Sequence, residues 1–175
     1  MVAPQVTIEL NDLIQETRLF RNLDLAELSA VAALGEYRWF GAGEQLGSAG
    51  ELASALYIIV EGMASMPSIT GTGAVLLLSR SDVYGISGMV EPHHYLVTAT
   101  ADTDCHVFAI PTMGLHALTD TNDSLGRRLF QEIARHAYER FVEAIKDARG
   151  YSTGNYVDGA EGARRDPVTT AAAPQ

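Results

Sequence analysis

An antiparallel β-barrel of jelly-roll type, preceded by N-terminal helices and followed by one long helix, is the fold the sequence predicts. Three observations carry that prediction. Between Glu36 and Ile110, short apolar runs recur roughly every 8–12 residues with glycine-rich turns between them, the spacing of antiparallel strands. Before Glu36 and after Pro111 the apolar period lengthens to that of a helix face. The segment 123–149 holds that period longer than any other.

The elements follow in order. "TIELNDLIQETRLF" sets Ile8, Leu10, Leu13, Ile14 and Thr17 near one helical face. "NLDLAELSAVAALG" then offers Asp24 as an N-cap and Gly35 as a stop. "EYRWF", "SALYIIV", "GMASMPSI", "AVLLL", "YLVTATA" and "CHVFAI" read as strands, and "GAGE", "GSAGE", "EG", "TGTG" and "SRSD" as the turns between them. Pro67 falls inside one run, which predicts an edge or bulged strand, because proline has no N–H for a ladder. "PTMGLHAL" is a short helix with Pro111 at its first position. In the last helix, Leu125, Leu129, Ile133, Ala137, Phe141 and Ile145 make an apolar stripe, and Gly150 ends it. Arg128–Glu132 and Arg135–Glu139 are opposite charges four residues apart on its exposed face. The predicted organisation is a helical segment 1–35, a barrel 36–118 with a short helix at 85–90, the long helix 119–149, and a flexible tail 150–175 of little apolar periodicity.

Charge and composition exclude several function classes. The net charge of −10 is concentrated in residues 1–122, which carry 14 acids against 4 arginines. Between Trp39 and Gly126 the only base is Arg80, and the chain has one lysine, Lys146. A surface that grips duplex phosphates needs several such contacts, so no nucleic-acid partner is expected. No apolar run reaches membrane-spanning length, and "MVAPQVTIELND" lacks the pattern of a secretory leader, so no membrane partner is expected. The single cysteine, Cys105, opens an apolar strand and fits a reducing cytoplasm. "GAGEQLG" imitates a dinucleotide fingerprint but lies between strands, where it is a turn. With no phosphate loop and no serine elbow, the expectation is a protein that is not an enzyme and carries no cofactor. "EPHHY" places His93 and His94 beside Tyr95, side chains able to ligate haem iron or a metal. Adjacent histidines in a turn after proline more often face solvent.

The order of parts resembles the cyclic-nucleotide-binding domain family, most closely its bacterial catabolite-activator type. The residues that carry the likeness are Leu19-Phe20, Leu23, Phe40, Gly43-Glu44, Gly50, Leu56-Tyr57-Ile58-Ile59 and Glu61-Gly62, over roughly residues 15–148. The resemblance implies a phosphate-binding segment at Gly85, Ile86, Ser87, Gly88, Met89 and Val90. In the family a glutamate of that segment holds the ribose and an arginine holds the cyclic phosphate. Here Ile86 stands at the glutamate position, and Tyr95, followed by Leu96, at the arginine position. Losing two charge-assisted hydrogen bonds costs on the order of 3–6 kcal/mol of binding. The expectation is therefore an apolar pocket of Ile86, Met89, Val90, Tyr95 and Leu96 without a cation. Ser87 and the Tyr95 hydroxyl would be its polar handles. Either side chains fill that pocket or it holds a less charged ligand.

The resemblance also implies how the chain works. A helix of about 40 Å is longer than a small barrel can cover, so its stripe implies a homodimer. Too few residues follow it for the winged helix-turn-helix of related regulators. The expected function is a non-catalytic regulatory adaptor acting through an unidentified protein partner. The alternatives are a sensor of an atypical small molecule and a haem or metal sensor.

Overall fold

The computed structural model of the chain describes residues 4–68 and 73–148. Two helices open it, α1 (Pro4–Glu16) and α2 (Leu25–Ala32). Leu13, Ile14 and Thr17 are buried as their spacing predicts, while the side chain of Ile8 lies outside the described residues. Asp24 caps α2 with a reciprocal pair. Its carboxylate accepts the Glu27 amide at 2.9 Å, and the Glu27 carboxylate accepts the Asp24 amide at 3.0 Å.

Among the described residues eight strands follow: β1 (Glu36–Phe40), β2 (Gln45–Gly47), β3 (Ala55–Glu61), β4 (Ala64–Pro67), β5 (Val75–Leu78), β6 (Val83–Tyr84), β7 (Ala99–Ala101) and β8 (Cys105–Pro111). They form two antiparallel four-stranded sheets, β1-β8-β3-β6 and β2-β7-β4-β5. The jelly-roll expectation holds as a sandwich of these two sheets. Every predicted run contains a strand. β2 and β6 escaped prediction because two or three residues are too few to show an alternation. Pro67 is accommodated differently from expectation. β4 lies between β5 and β7, but its ladder with β7 stops at Ser65, so Pro67 has a strand on one side only.

β3 and β8 are buried on both faces, which is why they read as near-continuous apolar runs. Ala55, Tyr57, Ile59, Cys105, Val107 and Ala109 point between the sheets. Leu56, Ile58, Phe108 and Ile110 point outward into a second core with the helices. Between the sheets an aromatic file runs from Phe40 to Tyr57 (5.7 Å), Tyr84 (6.3 Å) and Tyr95 (5.0 Å). Cys105 is fully buried, and burial, then Asp102, pushes its thiol pKa up, consistent with a structural role.

Pro111 precedes α3 (Thr112–Thr121), and α4 (Asp123–Ala148) runs 26 residues from a break at Asn122, whose side-chain oxygen accepts the Leu125 amide at 3.1 Å. The predicted boundary at 118/119 moves to this capped break. The 150–175 tail and Gly150 lie outside the described residues. Among the described residues no helix is long and apolar enough to cross a membrane.

The stripe on α4 is divided in two, which corrects the expectation that all of it faces a second copy. Leu125, Leu129 and Ile133 are buried in the chain's own core with Phe20, Leu28 and Leu115. Exposed apolar residues continue as Phe130, Ala134, Ala137 and Phe141, spaced four, three and four. The predicted pairs within α4 are corrected too. Arg128 reaches Glu27 at 2.8 Å, Arg21 reaches Glu132 at 3.2 Å and Arg18 reaches Glu139 at 2.7 Å. These charges tie α4 to the N-terminal helical region, because the buried Glu27 of α2 and Glu132 of α4 each find an arginine on the other side.

Candidate ligand cavity between the barrel and the last helix

A cleft of about 500 Å³ lies between the second sheet, the segment after Tyr84, and α4. Gly85 turns the chain from β6 into a 3-10 helix, Ile86–Met89. Its φ of +91° is left-handed, and a Cβ there would stand 2.6 Å from the Ala55 carbonyl oxygen and 3.1 Å from the Tyr95 ring. Gly85→Ala is expected to cost about 2–3 kcal/mol, read as a lower urea midpoint at unchanged m-value. An unchanged midpoint would show that this turn can relax.

The seven predicted pocket residues separate into two groups. Gly85, Ile86, Ser87 and Leu96 line the cleft, as does Val90. Gly88, Met89 and Tyr95 do not. Met89 is buried in the helix-facing core. Gly88 packs against Ala53 and Thr112, and its carbonyl accepts from His93 Nδ1 at 2.9 Å and His116 Nε2 at 3.2 Å. Tyr95 is drawn inside the barrel. Its hydroxyl donates to the Ala55 carbonyl at 2.9 Å and its ring stacks on Tyr84, so it offers no polar handle to the cleft. Gly47 makes room for that ring, since a Cβ there would sit 2.6 Å from it. Tyr84 is fixed likewise, 2.8 Å from the Val97 carbonyl. Burial, and next the neighbouring tyrosines, raises both phenol pKa values, so both remain hydrogen-bond donors.

The two histidines of "EPHHY" diverge. His93 turns to Gly88 and packs edge-on to His116 at 5.2 Å, while His94 lines the cleft. Among the described residues no three His, Cys, Asp or Glu side chains converge as a metal ion would require.

The opposite wall was missed by sequence reasoning, and it changes the electrostatics. Ile133, His136, Ala137, Arg140, Phe141 and Ala144 of α4 all face the cleft. Their signal was present: offsets of 3, 4, 7, 8 and 11 from Ile133 are one helical stripe, with two polar side chains set four apart in it. The expectation of a cavity without a cation is corrected by Arg140. Arg80, the only Lys or Arg between Trp39 and Gly126, is elsewhere, donating to the Val60 carbonyl at 3.3 Å and facing Glu16 at 3.5 Å. Arg140 Nη1 donates to Glu143 at 3.0 Å. The cleft also carries Glu91.

Beside the cleft is a smaller, polar chamber of about 140 Å³, bounded by Arg18, Asp82, Glu132, Arg135 and Glu139. Met66, Val83, Ile86, His136 and Arg140 line both spaces. Burial, then Arg140 and Arg18, lowers the His136 pKa below 6.5. The folded state thus holds fewer protons than the unfolded chain between that lowered value and pH 6.5, and stability rises with pH there. On acidification from pH 7, stability should begin to fall below about pH 6.5, and His136→Gln should flatten that slope. An unchanged slope in the variant would remove His136 as its source.

Sandwich, 3-10 turn and long closing helix together define a domain with a cleft between its barrel and its last helix. Residues 37–122 match the model of the cyclic nucleotide-binding domain, so that stretch of the chain is similar to that family. Solved structures agree. The chain is similar to a candidate cyclic nucleotide-binding protein from Geobacter metallireducens GS-15, at 21% identity and a TM-score of 0.65, over 81% of this chain and 99% of that one. It is similar to the sensor domain of the transcriptional regulator DNR from Pseudomonas aeruginosa, at 20% identity and a TM-score of 0.62, over 79% and 95% of the two chains. It also resembles the Thermus thermophilus catabolite activator protein, at 20% identity and a TM-score of 0.62, over 75% of this chain and 63% of that one. No curated protein matches the chain in sequence.

Proposed function

We propose that this is a non-catalytic regulatory domain that senses a small, largely apolar ligand in the cleft, rather than binding a cyclic nucleotide in the family's usual way. The observation that carries this reading is the lining of the cleft. Ile86 and Leu96 occupy the 3-10 side, Leu76 and Met66 the sheet side, and Ala137 and Phe141 the helix side. A volume of about 500 Å³ suits a small molecule, for which sites span roughly 300–1,000 Å³. A ribose would find Ile86 in place of a carboxylate, and Tyr95 is committed to Ala55.

The signal would leave through α4. Phe130, Ala134, Ala137, Phe141 and Ile145 form the stripe through which we propose that two copies pair. Ala137 and Phe141 belong to this stripe and also to the cleft wall. A ligand touching them would therefore shift the geometry of the seam, and a protein partner would read that shift.

Thermal unfolding of the full chain with cyclic AMP, cyclic GMP and a panel of apolar compounds tests the reading, since a ligand of the native state raises the unfolding temperature. Stabilisation by apolar compounds and not by the nucleotides is expected. Stabilisation by micromolar cyclic nucleotide alone would overturn it. A second reading, an adaptor that holds no ligand, is favoured by the aromatic file filling the barrel interior. Under it no compound stabilises the chain, yet a partner still binds α4.

A further inference from the structure

The cleft and the polar chamber beside it adjoin, sharing Met66, Val83, Ile86, His136 and Arg140 in their walls, and the groups at their junction specify more than an apolar ligand. We infer that the site takes an amphiphilic monocarboxylate, with its aliphatic body in the cleft and its carboxylate at Arg140 and His136. This rests on the proposal that the cleft is a ligand site and adds the class and orientation of the ligand.

The charges near the junction select the head group. Arg140 lines both spaces, and among the described residues it is the one Lys or Arg on the wall of the cleft. Its fixed fork of N–H groups fits the two oxygens of a carboxylate. Glu143 engages Nη1 from the solvent side and is itself 57% exposed. The remaining N–H groups of the fork are left for a second carboxylate arriving through the cleft. His136, one turn earlier, faces the same junction, and its lowered pKa leaves it neutral at pH 7 as a donor or acceptor. The smaller chamber offers no further free cation, because its arginines face its own acids: Arg18 meets Glu139 at 2.7 Å and Arg135 meets Glu132 at 3.7 Å, and Asp82 leaves the rest of that wall net negative.

The orientation follows from what the two spaces do not share. Glu91 lines the cleft but not the polar chamber, and so do Val90, Leu96 and Val97. A carboxylate at that end would face Glu91 with no cation beside it. The aliphatic end belongs there instead, against Val90, Leu96 and Val97, and the carboxylate belongs at Arg140.

Titration calorimetry of the full chain with dodecanoic acid, 1-dodecanol and cyclic AMP, each kept below micelle-forming concentration, tests this. Arg140→Met is the variant, with Arg80→Met as a control remote from the cleft. The acid is expected to bind wild type about tenfold more tightly than the alcohol. Arg140→Met should bring the two within about twofold of each other, and Arg80→Met should leave the preference intact. Equal binding of acid and alcohol by wild type, a comparison that needs no variant, would overturn the carboxylate site while leaving the apolar cleft standing. Retention of the preference in Arg140→Met would overturn the role of Arg140. Binding of neither lipid would overturn both this inference and the ligand-site reading beneath it. Cyclic AMP binding more tightly than either lipid, and lost in Arg140→Met, would assign the arginine to a cyclic phosphate and refute the proposal.

Discussion

Leu129→Ala is expected to lower the unfolding free energy by about 3–4 kcal/mol, because the side chain is fully buried and its loss leaves a cavity. For a chain of this size that corresponds to a drop of roughly 10 °C in Tm. The size of the effect follows from what Leu129 joins. It sits with Leu125 and Ile133 in one core with Phe20, Leu28 and Phe108, so it couples α4 to the N-terminal helices and to the outer face of the first sheet. The ion pairs Arg128–Glu27 and Arg21–Glu132 flank that contact and satisfy its two buried carboxylates. Differential scanning calorimetry at fixed protein concentration measures the change. A loss under about 1 kcal/mol would mean that α4 is not part of the folding core.

Phe141→Glu is expected to act on assembly instead. Phe141 is 61% exposed in the single chain, so removing it should change the stability of the isolated fold little. In the proposed seam the new carboxylate would be desolvated between two helices, at a cost on the order of 3 kcal/mol, or roughly a hundredfold in the dimer dissociation constant. Sedimentation velocity of wild type and variant across a dilution series gives that constant. A wild type that is monomeric at every concentration would sink the dimer. The two substitutions lie twelve residues apart on one helix, yet Leu129 is buried in the chain's own core while Phe141 is exposed for the proposed pairing.

That division was illegible in the sequence. Leu125, Leu129, Ile133, Ala137, Phe141 and Ile145 form one continuous stripe by spacing, and spacing says which residues share a face, not what covers it. Covering depends on where α1 and α2 fold back, a matter of contacts distant in sequence, among them the ion pairs Arg18–Glu139, Arg21–Glu132 and Arg128–Glu27. The sandwich itself was legible, because glycine turns and two-sided strands such as "ALYIIV" leave a local trace. Half of the cleft was legible for the same reason: Gly85, Ile86, Ser87 and Leu96 sit together in the chain. Tyr95 misled because alignment to a family position fixes the backbone, not the side chain. Its ring turned inward where Gly47 and Gly85 leave space, to stack on Tyr84. The α4 wall was hidden because a histidine and an arginine four apart on a helix most often face water.

Ala137 and Phe141 serve the wall of the cleft and the exposed stripe at once. Where two processes draw on the same atoms, they are thermodynamically linked, and the linkage runs in both directions. If two copies pair there and a ligand fills the cleft, as proposed, dilution that separates the copies would change occupancy, and occupancy would change how readily the copies meet. The abundance of the protein would itself set the threshold at which it responds.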